Sequence, residues 1–280
     1  MNPTFANAAT RQIDAAGCAF LYREIGAASA APLLLLNHLT GVLEDWDPAV
    51  VDGLAANRRV IIFDNRGVGG SAGITPTNIA DMARDAIAFI DALRLTNIDL
   101  LGFSMGGFIA QLIAHDRPDL VRRLILAGTG PAGGAGIDQV AKVLQAAVAE
   151  SGADHRHAKH ILFFSQTPGS QRAADEFLLR LKDRGQNRDL AVSNETVAAH
   201  LVAITHWGSD AAQGRPLREI KLPVLVVNGD DDIMVPTDNS IDLFHALPDA
   251  ELSIFPDSGH GGIFQYHREF VTQASRFLEH

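Results

Sequence analysis

Strand-length apolar runs alternate with segments of helical length along much of this 280-residue chain, and this alternation limits its possible folds more than any other feature. The runs are almost wholly apolar, as is typical of parallel strands that helices cover on both faces. They lie at Pro32–Asn37, Val60–Asp64, Ile98–Phe103, Leu124–Gly128, Pro223–Gly229 and Glu251–Phe255. The sequence therefore predicts an α/β fold with a mostly parallel, doubly wound sheet.

Amphipathic helices are predicted between these strands. Ile79–Leu93 carries apolar residues at helical spacing, and Phe108–His115 and Ile241–Leu247 show a similar pattern. Two early segments, Gln12–Asp14 and Ala19–Glu24, are expected to form antiparallel strands at the edge of the sheet.

The alternation stops between residues 131 and 222. The glycine-rich stretch Pro131–Gly136 leads into a region with several helix-prone segments and no strand-like run. This pattern predicts a helical cap inserted into the sheet domain. Residues 1–130 and 223–280 would form the core domain, and residues 131–222 would form the cap.

A glycine-flanked serine follows one of the predicted strands. Gly102-Phe103-Ser104-Met105-Gly106-Gly107 comes directly after the run that ends at Phe103 and opens a predicted helix. The G-x-S-x-G pattern in this strand–turn–helix context is typical of a nucleophile elbow, in which a sharp turn exposes the serine hydroxyl. The alternative is a glycine-rich turn with a serine of no catalytic role.

A serine nucleophile needs a histidine base and a carboxylate to orient that base, which follow the serine in this chain order. Among the later histidines, His245 and His267 fall in predicted helices and His280 is terminal, whereas His260 lies in a loop just after a predicted strand. The carboxylate candidates are Asp230, Asp231 and Asp232, which follow another strand, and Asp257 in the loop of His260.

Further motifs resemble those of the capped α/β-hydrolase-fold serine hydrolases, a superfamily that includes esterases, lactonases, C–C hydrolases and cofactor-free haloperoxidases. Asp64–Ser71 is similar to the family's D-x-R-G-x-G-x-S loop, and Gly229–Pro236 is similar to its G-x-x-D-x-x-V-P acid motif. The resemblance covers nearly the whole chain outside the cap and implies an α/β-hydrolase fold. Its acid motif selects Asp232.

The resemblance also implies an oxyanion hole made of two backbone N–H groups. One belongs to Met105, the residue after the proposed nucleophile. The family loop that supplies the other commonly reads H-G-x-P-G with a later tryptophan, whereas this chain reads Asn37-His38-Leu39-Thr40-Gly41 and then Trp46. Alignment on Gly41 and Trp46 makes Leu39 the second donor. His38 could line the substrate pocket, or it could fill space and bond the loop backbone.

Aromatic residues of the cap are candidates for the substrate pocket, although they could equally be packing residues. They are Phe163, Phe164 and Trp207. The cap also contains five histidines, which suggest a zinc site only superficially, because no recognisable ligand spacing accompanies them. We read these histidines as a solvated polar stretch and expect no metal and no cofactor. They are His155, His157, His160, His200 and His206.

Composition and charge limit the classes of binding partner and the cellular setting that we expect. The formal net charge of −10 argues against nucleic acids and anionic membranes as partners, and the single cysteine, Cys18, is consistent with a reducing cytoplasmic setting.

The leading hypothesis is hydrolysis of a small to medium apolar carboxylic ester or lactone through an acyl-enzyme on Ser104. The alternatives are lyase, perhydrolase or haloperoxidase, or C–C hydrolase chemistry on the same residues, or a ligand receptor. The sequence does not determine the oligomeric state.

Overall fold

A computed structural model describes residues 4–27 and 30–279 of the chain. Its centre is one eight-stranded sheet. The strands are β1 (Arg11–Ala15), β2 (Cys18–Ile25), β3 (Leu33–Leu36), β4 (Val60–Phe63), β5 (Ile98–Phe103), β6 (Val121–Ala127), β7 (Val224–Gly229) and β8 (Ala250–Phe255). His280, which the sequence excluded from the site, lies outside the described residues.

The strand order is β1-β2-β4-β3-β5-β6-β7-β8, and every pair from β4 to β8 is parallel. The two antiparallel strands were predicted correctly, but only β1 lies at the edge, because β2 also pairs antiparallel with β4. Every residue of β3, β4, β5 and β7 is buried, which explains why their sequences are almost wholly apolar. The mostly parallel α/β sheet is therefore confirmed.

Strand β6 begins three residues before the apolar run that predicted it. The first three residues of β6 include Arg122 and Arg123, which are charged and half-buried. Arg122 makes two hydrogen bonds to the carboxylate of Asp99 on β5, at 3.0 and 2.8 Å. This ion pair lets a charged residue sit inside the sheet, and it hides the start of the strand from an apolar-run criterion.

Helices flank the sheet in two groups. The helix α1 packs on α10, while α2 packs on α3. The helices are α1 (Pro48–Ala55), α2 (Ile79–Ala92), α3 (Met105–Asp116), α4 (Val140–Ala153), α5 (Lys159–Leu162), α6 (Pro168–Arg180), α7 (Asn194–Ser209), α8 (Asp238–Ala246), α9 (Gly262–Gln265) and α10 (His267–Glu279). No helix in the described residues is long and apolar enough to cross a membrane.

Residues 131–222 connect β6 to β7 and contain α4 to α7, with no strand among them. The helix α6 begins where Thr167 accepts a hydrogen bond from the Ser170 N–H and Pro168 occupies the first turn. The helix α5 spans one turn only. The division of the chain into a core and a cap at residues 130/131 and 222/223 stays a prediction.

Candidate active site

Ser104 lies on a sharp turn between β5 and α3. Its backbone has φ +56° and ψ −120°, a conformation that a residue with a side chain adopts only under strain. The turn is held from both sides, because the Ser104 N–H donates to the Ala127 carbonyl at 2.9 Å and the Ser104 carbonyl accepts from Gly107 N–H and from the Thr129 hydroxyl. Bonds from β6, from the residues just after it and from α3 therefore hold the geometry expected of a nucleophile elbow.

Two glycines make this turn possible by close approach. A Cβ on Gly106 would lie 2.1 Å from the Leu36 carbonyl oxygen at the end of β3, and one on Gly102 would lie 2.4 Å from the Gly106 oxygen. Any side chain at either position would push the helix α3 away from the sheet. The spacing of these glycines around Ser104 thus reflects packing as well as backbone freedom.

His260 and Asp232 form a buried pair at the carboxyl ends of β8 and β7. His260 Nδ1 donates to Asp232 Oδ2 at 2.7 Å. The second carboxylate oxygen, Oδ1, accepts from the N–H groups of Met234 and Val235 at 2.8 and 2.9 Å. The carboxylate is therefore fixed by three donors, and the imidazole is held with its Nε2 pointing away from Asp232.

The competing carboxylates lie elsewhere. Asp230 and Asp231 are exposed, and the Asp230 carboxylate accepts from the Ser258 N–H at 3.1 Å, which braces the loop that carries His260. Asp257 is also exposed, and its carboxylate accepts from the Thr167 hydroxyl at 2.8 Å. Only Asp232 is brought to the His260 ring.

Ser104 and His260 both approach the end of β6. Ser104 is tied to Ala127 and Thr129, and the His260 Nδ1 lies 3.2 Å from the position that a Cβ on Gly128 would take. Phe103, the neighbour of Ser104, has its ring 4.9 Å from the His260 ring. Only 5% of Ser104 and 2% of His260 is exposed, so the structure places both in a site covered by other parts of the chain.

The loop after β3 is built around Asn37. Its amide nitrogen donates to the Gly41 and Phe63 carbonyls, both at 3.1 Å, and its oxygen accepts from Trp46 Nε1 at 2.5 Å. Asn37 thereby joins the two landmarks, Gly41 and Trp46, on which Leu39 was aligned. A polar amide at this position compensates for the departure from the H-G-x-P-G pattern.

Asp64, in the loop similar to D-x-R-G-x-G-x-S, supports the same region. Its Oδ1 accepts from the Leu43 N–H at 2.9 Å. Burial raises the pKa of this carboxyl well above its usual range, which favours the protonated acid over a buried charge. This residue of the motif therefore fixes the chain just after the loop that contains Leu39.

His38 is buried with its ring in this loop. Its Nδ1 lies 2.7 Å from the Leu39 carbonyl oxygen, and its ring packs edge-on against Phe103 and Phe163. Burial lowers its pKa to about 4, so the imidazole is neutral near pH 7. The prediction that His38 bonds the loop backbone agrees with this contact. Its Nε2 is buried and has no partner among the described residues.

His200 corrects our reading of the cap histidines as solvated. It is wholly buried, and its Nδ1 accepts from the Thr40 N–H at 3.1 Å. Burial lowers its pKa to about 4. A sequence signal was available, because the buried positions of α7 recur at helical spacing and include His200, one turn after the buried Thr196.

These two histidines predict an acid-sensitive fold. An unfolded histidine takes up a proton near pH 6.5, whereas His38 and His200 resist protonation until about pH 4. Their contribution to stability is therefore full above about pH 6.5 and is lost as the pH falls toward 4. We expect on the order of 1 to 2 kcal/mol lost per histidine at pH 5, measured by urea unfolding. His38→Asn and His200→Asn should flatten this loss, and His206→Asn, on the exposed side of α7, should not.

The predicted pocket aromatics differ in position. The Phe163 ring lies 5.5 Å from both His38 and His260, and its carbonyl accepts from the Gly261 N–H at 2.8 Å. Phe164 instead packs on Phe177, at 5.6 Å. Trp207 stacks on Phe108 of α3, and its Nε1 donates to the Gly130 carbonyl. Of the three, only Phe163 has ring contact with His260 in the described chain.

Cations of the segment 131–222 bind a row of acidic residues just after the Leu39 loop. Lys159 pairs with Asp45, and it lowers the pKa of that carboxyl to about 2 although burial alone would raise it. Arg180 donates two hydrogen bonds to the buried carboxylate of Asp47, at 2.9 and 2.6 Å, in a bidentate ion pair. Arg188 pairs with Glu44 at 2.8 Å. We call this set of contacts the ionic clamp.

The Asp47 contact should dominate the stability of the clamp. Asp47 is wholly buried, pairs with Arg180, and also accepts from the Ala49 N–H as the N-cap of α1. We expect Asp47→Ala to cost roughly 3 to 5 kcal/mol of unfolding free energy, because it strands a mostly buried guanidinium and removes a helix cap. Urea titration would measure this loss. Asp47→Asn should cost less because it keeps the cap acceptor, and equal losses for both variants would contradict the assignment.

No group of three or more metal-ligating side chains is assembled anywhere in residues 4–27 and 30–279. The remaining cap histidines lie near the surface, where His160 Nε2 contacts the exposed Asp175 at 2.9 Å and His160 Nδ1 contacts the His157 carbonyl.

The chain is similar to known proteins over nearly its full length. A sequence model of the family described as alpha/beta hydrolase fold matches residues 31–265. Among solved structures, an α/β-hydrolase-fold protein from Chitinophaga pinensis is 40% identical, superposes with a TM-score of 0.94, and covers 99% of each chain.

Curated relatives carry different activity names. One from Agrobacterium fabrum, whose name describes a carbamate hydrolase, is 30% identical over 257 residues, which make up 90% of this chain and 94% of the relative. Another from Mycobacterium tuberculosis, whose name describes a non-heme bromoperoxidase, is 27% identical over 264 residues, or 88% of this chain and 93% of the relative.

Proposed function

Since this chain belongs to the α/β-hydrolase family, we propose that it is a serine hydrolase that cleaves a small to medium apolar carboxylic ester or lactone. The observation that carries the proposal is the buried His260–Asp232 pair, which lies at the end of β6, the strand end to which the strained turn of Ser104 is also bonded. A serine hydroxyl becomes a useful nucleophile when such a base is beside it.

The chemistry follows from the donors and acceptors of these groups. Ser104 Oγ attacks the substrate carbonyl carbon while His260 Nε2 takes the hydroxyl proton, and Asp232 stabilises the resulting imidazolium. The N–H groups of Leu39 and Met105 receive the oxyanion of the tetrahedral intermediate. His260 then gives its proton to the leaving alcohol. In the second half, His260 takes a proton from water, whose oxygen attacks the acyl-enzyme carbonyl carbon. His260 then returns this proton to Ser104 Oγ as the bond between that carbon and Oγ breaks, which releases the acid and the free serine.

The covered site supports a bounded substrate. Ser104, Asp232 and His260 are each at most 5% exposed, and Phe163 contributes an apolar wall beside His260. Burial of a methylene group in such surroundings favours binding by about 0.8 kcal/mol. We further propose that the substrate is a free small molecule rather than a membrane or nucleic-acid component, which fits the net charge of −10.

The acyl-chain preference tests this proposal. Along a p-nitrophenyl ester series from acetate to palmitate, we expect kcat/KM to peak at short to medium chains and then fall, because a bounded pocket stops gaining buried area. Parallel assays with γ-lactones and with p-nitrophenyl carbamates would show which of the ester, lactone and carbamate bonds the enzyme cleaves fastest. A rate that climbs steadily to long chains, with activation at a lipid interface, would contradict the bounded site and indicate a lipase.

The name of one relative, a non-heme bromoperoxidase, suggests a second assay, which tests for perhydrolysis. An acyl-enzyme attacked by hydrogen peroxide instead of water gives a peracid. Measuring peracid formation beside ester hydrolysis would separate perhydrolysis from hydrolysis on the same serine.

A further inference from the structure

The tautomers of His38 and His200 can be assigned from their partners. A carbonyl oxygen only accepts, so the 2.7 Å contact between His38 Nδ1 and the Leu39 oxygen requires a proton on Nδ1. His38 Nε2 then carries a lone pair. The Thr40 N–H only donates, so its 3.1 Å contact with His200 Nδ1 requires a lone pair there. Since both imidazoles are neutral, His200 carries its proton on Nε2.

The two Nε2 atoms are complementary, and neither is used. Both are buried and have no hydrogen-bond partner in the described part of the chain. One is an acceptor and the other a donor, and both rings belong to the same loop region, because His200 Nδ1 accepts from the N–H of Thr40, two residues after His38. Buried polar atoms of a folded protein are normally paired, so a matched unpaired donor and acceptor indicate a polar group that binds between them.

This pair lies beside the groups that are proposed to react. The His38 ring is 5.4 Å from Phe103 and 5.5 Å from Phe163, and both of those rings also contact His260. His38 and Thr40 flank Leu39, whose N–H is the proposed oxyanion donor. A group bound by the pair would therefore lie near the scissile carbonyl.

We propose that His38 Nε2 and His200 Nε2–H together bind a hydroxyl group of the substrate, so that the enzyme prefers α- or β-hydroxyacyl esters and hydroxylactones. A hydroxyl is the smallest neutral group that donates and accepts through one oxygen, giving its proton to His38 and receiving one from His200. A carboxylate would lack the proton that His38 needs, and its charge would be buried without a cation contributed by either ring. This inference rests on the proposed ester or lactone hydrolysis.

Matched substrates test the preference in the wild type. p-Nitrophenyl 3-hydroxybutyrate against p-nitrophenyl butyrate, and α-hydroxy-γ-butyrolactone against γ-butyrolactone, differ by one hydroxyl each. We expect kcat/KM to be about 10- to 100-fold higher for at least one hydroxylated member, because the unsubstituted substrate leaves both Nε2 atoms unpaired. Equal rates within both pairs would overturn the inference while leaving the proposed hydrolysis intact.

Asparagine substitutions test the two histidines. In His200→Asn the amide oxygen can still accept from Thr40, and in His38→Asn the amide nitrogen can still donate to the Leu39 carbonyl, while each Nε2 is removed. Each variant should lower the hydroxyl preference ratio by about 10-fold or more. The control His206→Asn, on the exposed side of the same helix, should keep the wild-type ratio. A ratio that persists in both site variants would show that the hydroxyl is recognised elsewhere.

A binding measurement separates this inference from the proposed function. Calorimetry on Ser104→Ala with the hydroxylated and unsubstituted lactones reports recognition without turnover. Should the wild type hydrolyse no ester or lactone at all, the proposed function fails, yet tighter binding of the hydroxylated lactone would still support the histidine pair. Equal binding of both lactones in that case would overturn the pair as well.

Discussion

Ser104→Ala should abolish hydrolysis while leaving the fold in place. We expect kcat to fall by roughly 10⁴- to 10⁶-fold, because the variant lacks the atom that forms the acyl-enzyme, and only the oxyanion donors and substrate binding remain. The measurement is turnover of the best p-nitrophenyl ester from the chain-length series. A wild-type rate in the variant would exclude Ser104 as the nucleophile.

The fold should tolerate this substitution because its strain resides in the backbone. Ser104 holds φ +56° through bonds of its own N–H and carbonyl groups to Ala127, Gly107 and Thr129, and alanine keeps all of these backbone bonds. We expect the unfolding free energy to change by about 1 kcal/mol or less. A parallel loss of stability and activity would indicate unfolding instead of a missing nucleophile.

A fluorophosphonate probe gives an independent readout of the same residue. It reacts with a serine only where a base activates the hydroxyl, so labelling should occur at Ser104 and disappear in Ser104→Ala. Ser209→Ala, at the exposed end of α7, is the matched control and should label like the wild type. Labelling that survives in Ser104→Ala would place the reactive serine elsewhere.

The sheet was predictable because burial on both faces leaves a plain mark on the sequence. Val60–Phe63 and residues 224–227 are buried at every position, and so these runs are apolar from end to end. The signal fails where a charge enters the sheet with its partner, as with Arg122 and Asp99, since a local pattern does not contain the distant carboxylate.

The placement of Ser104 and His260 was also readable, because each lies in a loop that directly follows a strand and the ends of parallel strands meet at one edge. The choice among the three consecutive aspartates needed the family motif. Its physical basis is visible only in three dimensions, where the amides of Met234 and Val235 hold one oxygen of Asp232 and turn the other toward His260.

Contacts between the segment 131–222 and the sheet domain were the least predictable. His200 bonds Thr40 and Lys159 pairs with Asp45, although each pair is far apart in the sequence. The local sequence around these residues does not predict which partner each one contacts. Phe164 and Trp207 resembled Phe163 as apolar cap residues, yet only Phe163 packs on His260. Apolar character predicts burial for such residues but not the surface on which they pack.

Asp232→Asn should cripple the enzyme by changing which nitrogen of His260 carries the proton. In the wild type, Oδ1 of Asp232 accepts from two backbone N–H groups and Oδ2 accepts from His260 Nδ1. An asparagine can satisfy the two N–H groups only with its oxygen, so its NH₂ group must face His260 Nδ1. The imidazole then keeps its lone pair on Nδ1 and its proton on Nε2, where it cannot accept the proton of Ser104.

We expect this variant to lose about 10⁴-fold in kcat at neutral pH with a KM close to that of the wild type, because geometry and substrate contacts persist. Asp231→Asn is the matched control, since the side chain of this preceding residue is exposed. The substitution should cost less than about 1 kcal/mol of transition-state stabilisation. A nitrogen-15 spectrum of the imidazole would show the proton moving from Nδ1 to Nε2 in Asp232→Asn alone. If Asp231→Asn were the inactive variant and Asp232→Asn retained its rate, the carboxylate that orients His260 during turnover would have to come from Asp231, through a rearrangement of the loop that now leaves it in solvent.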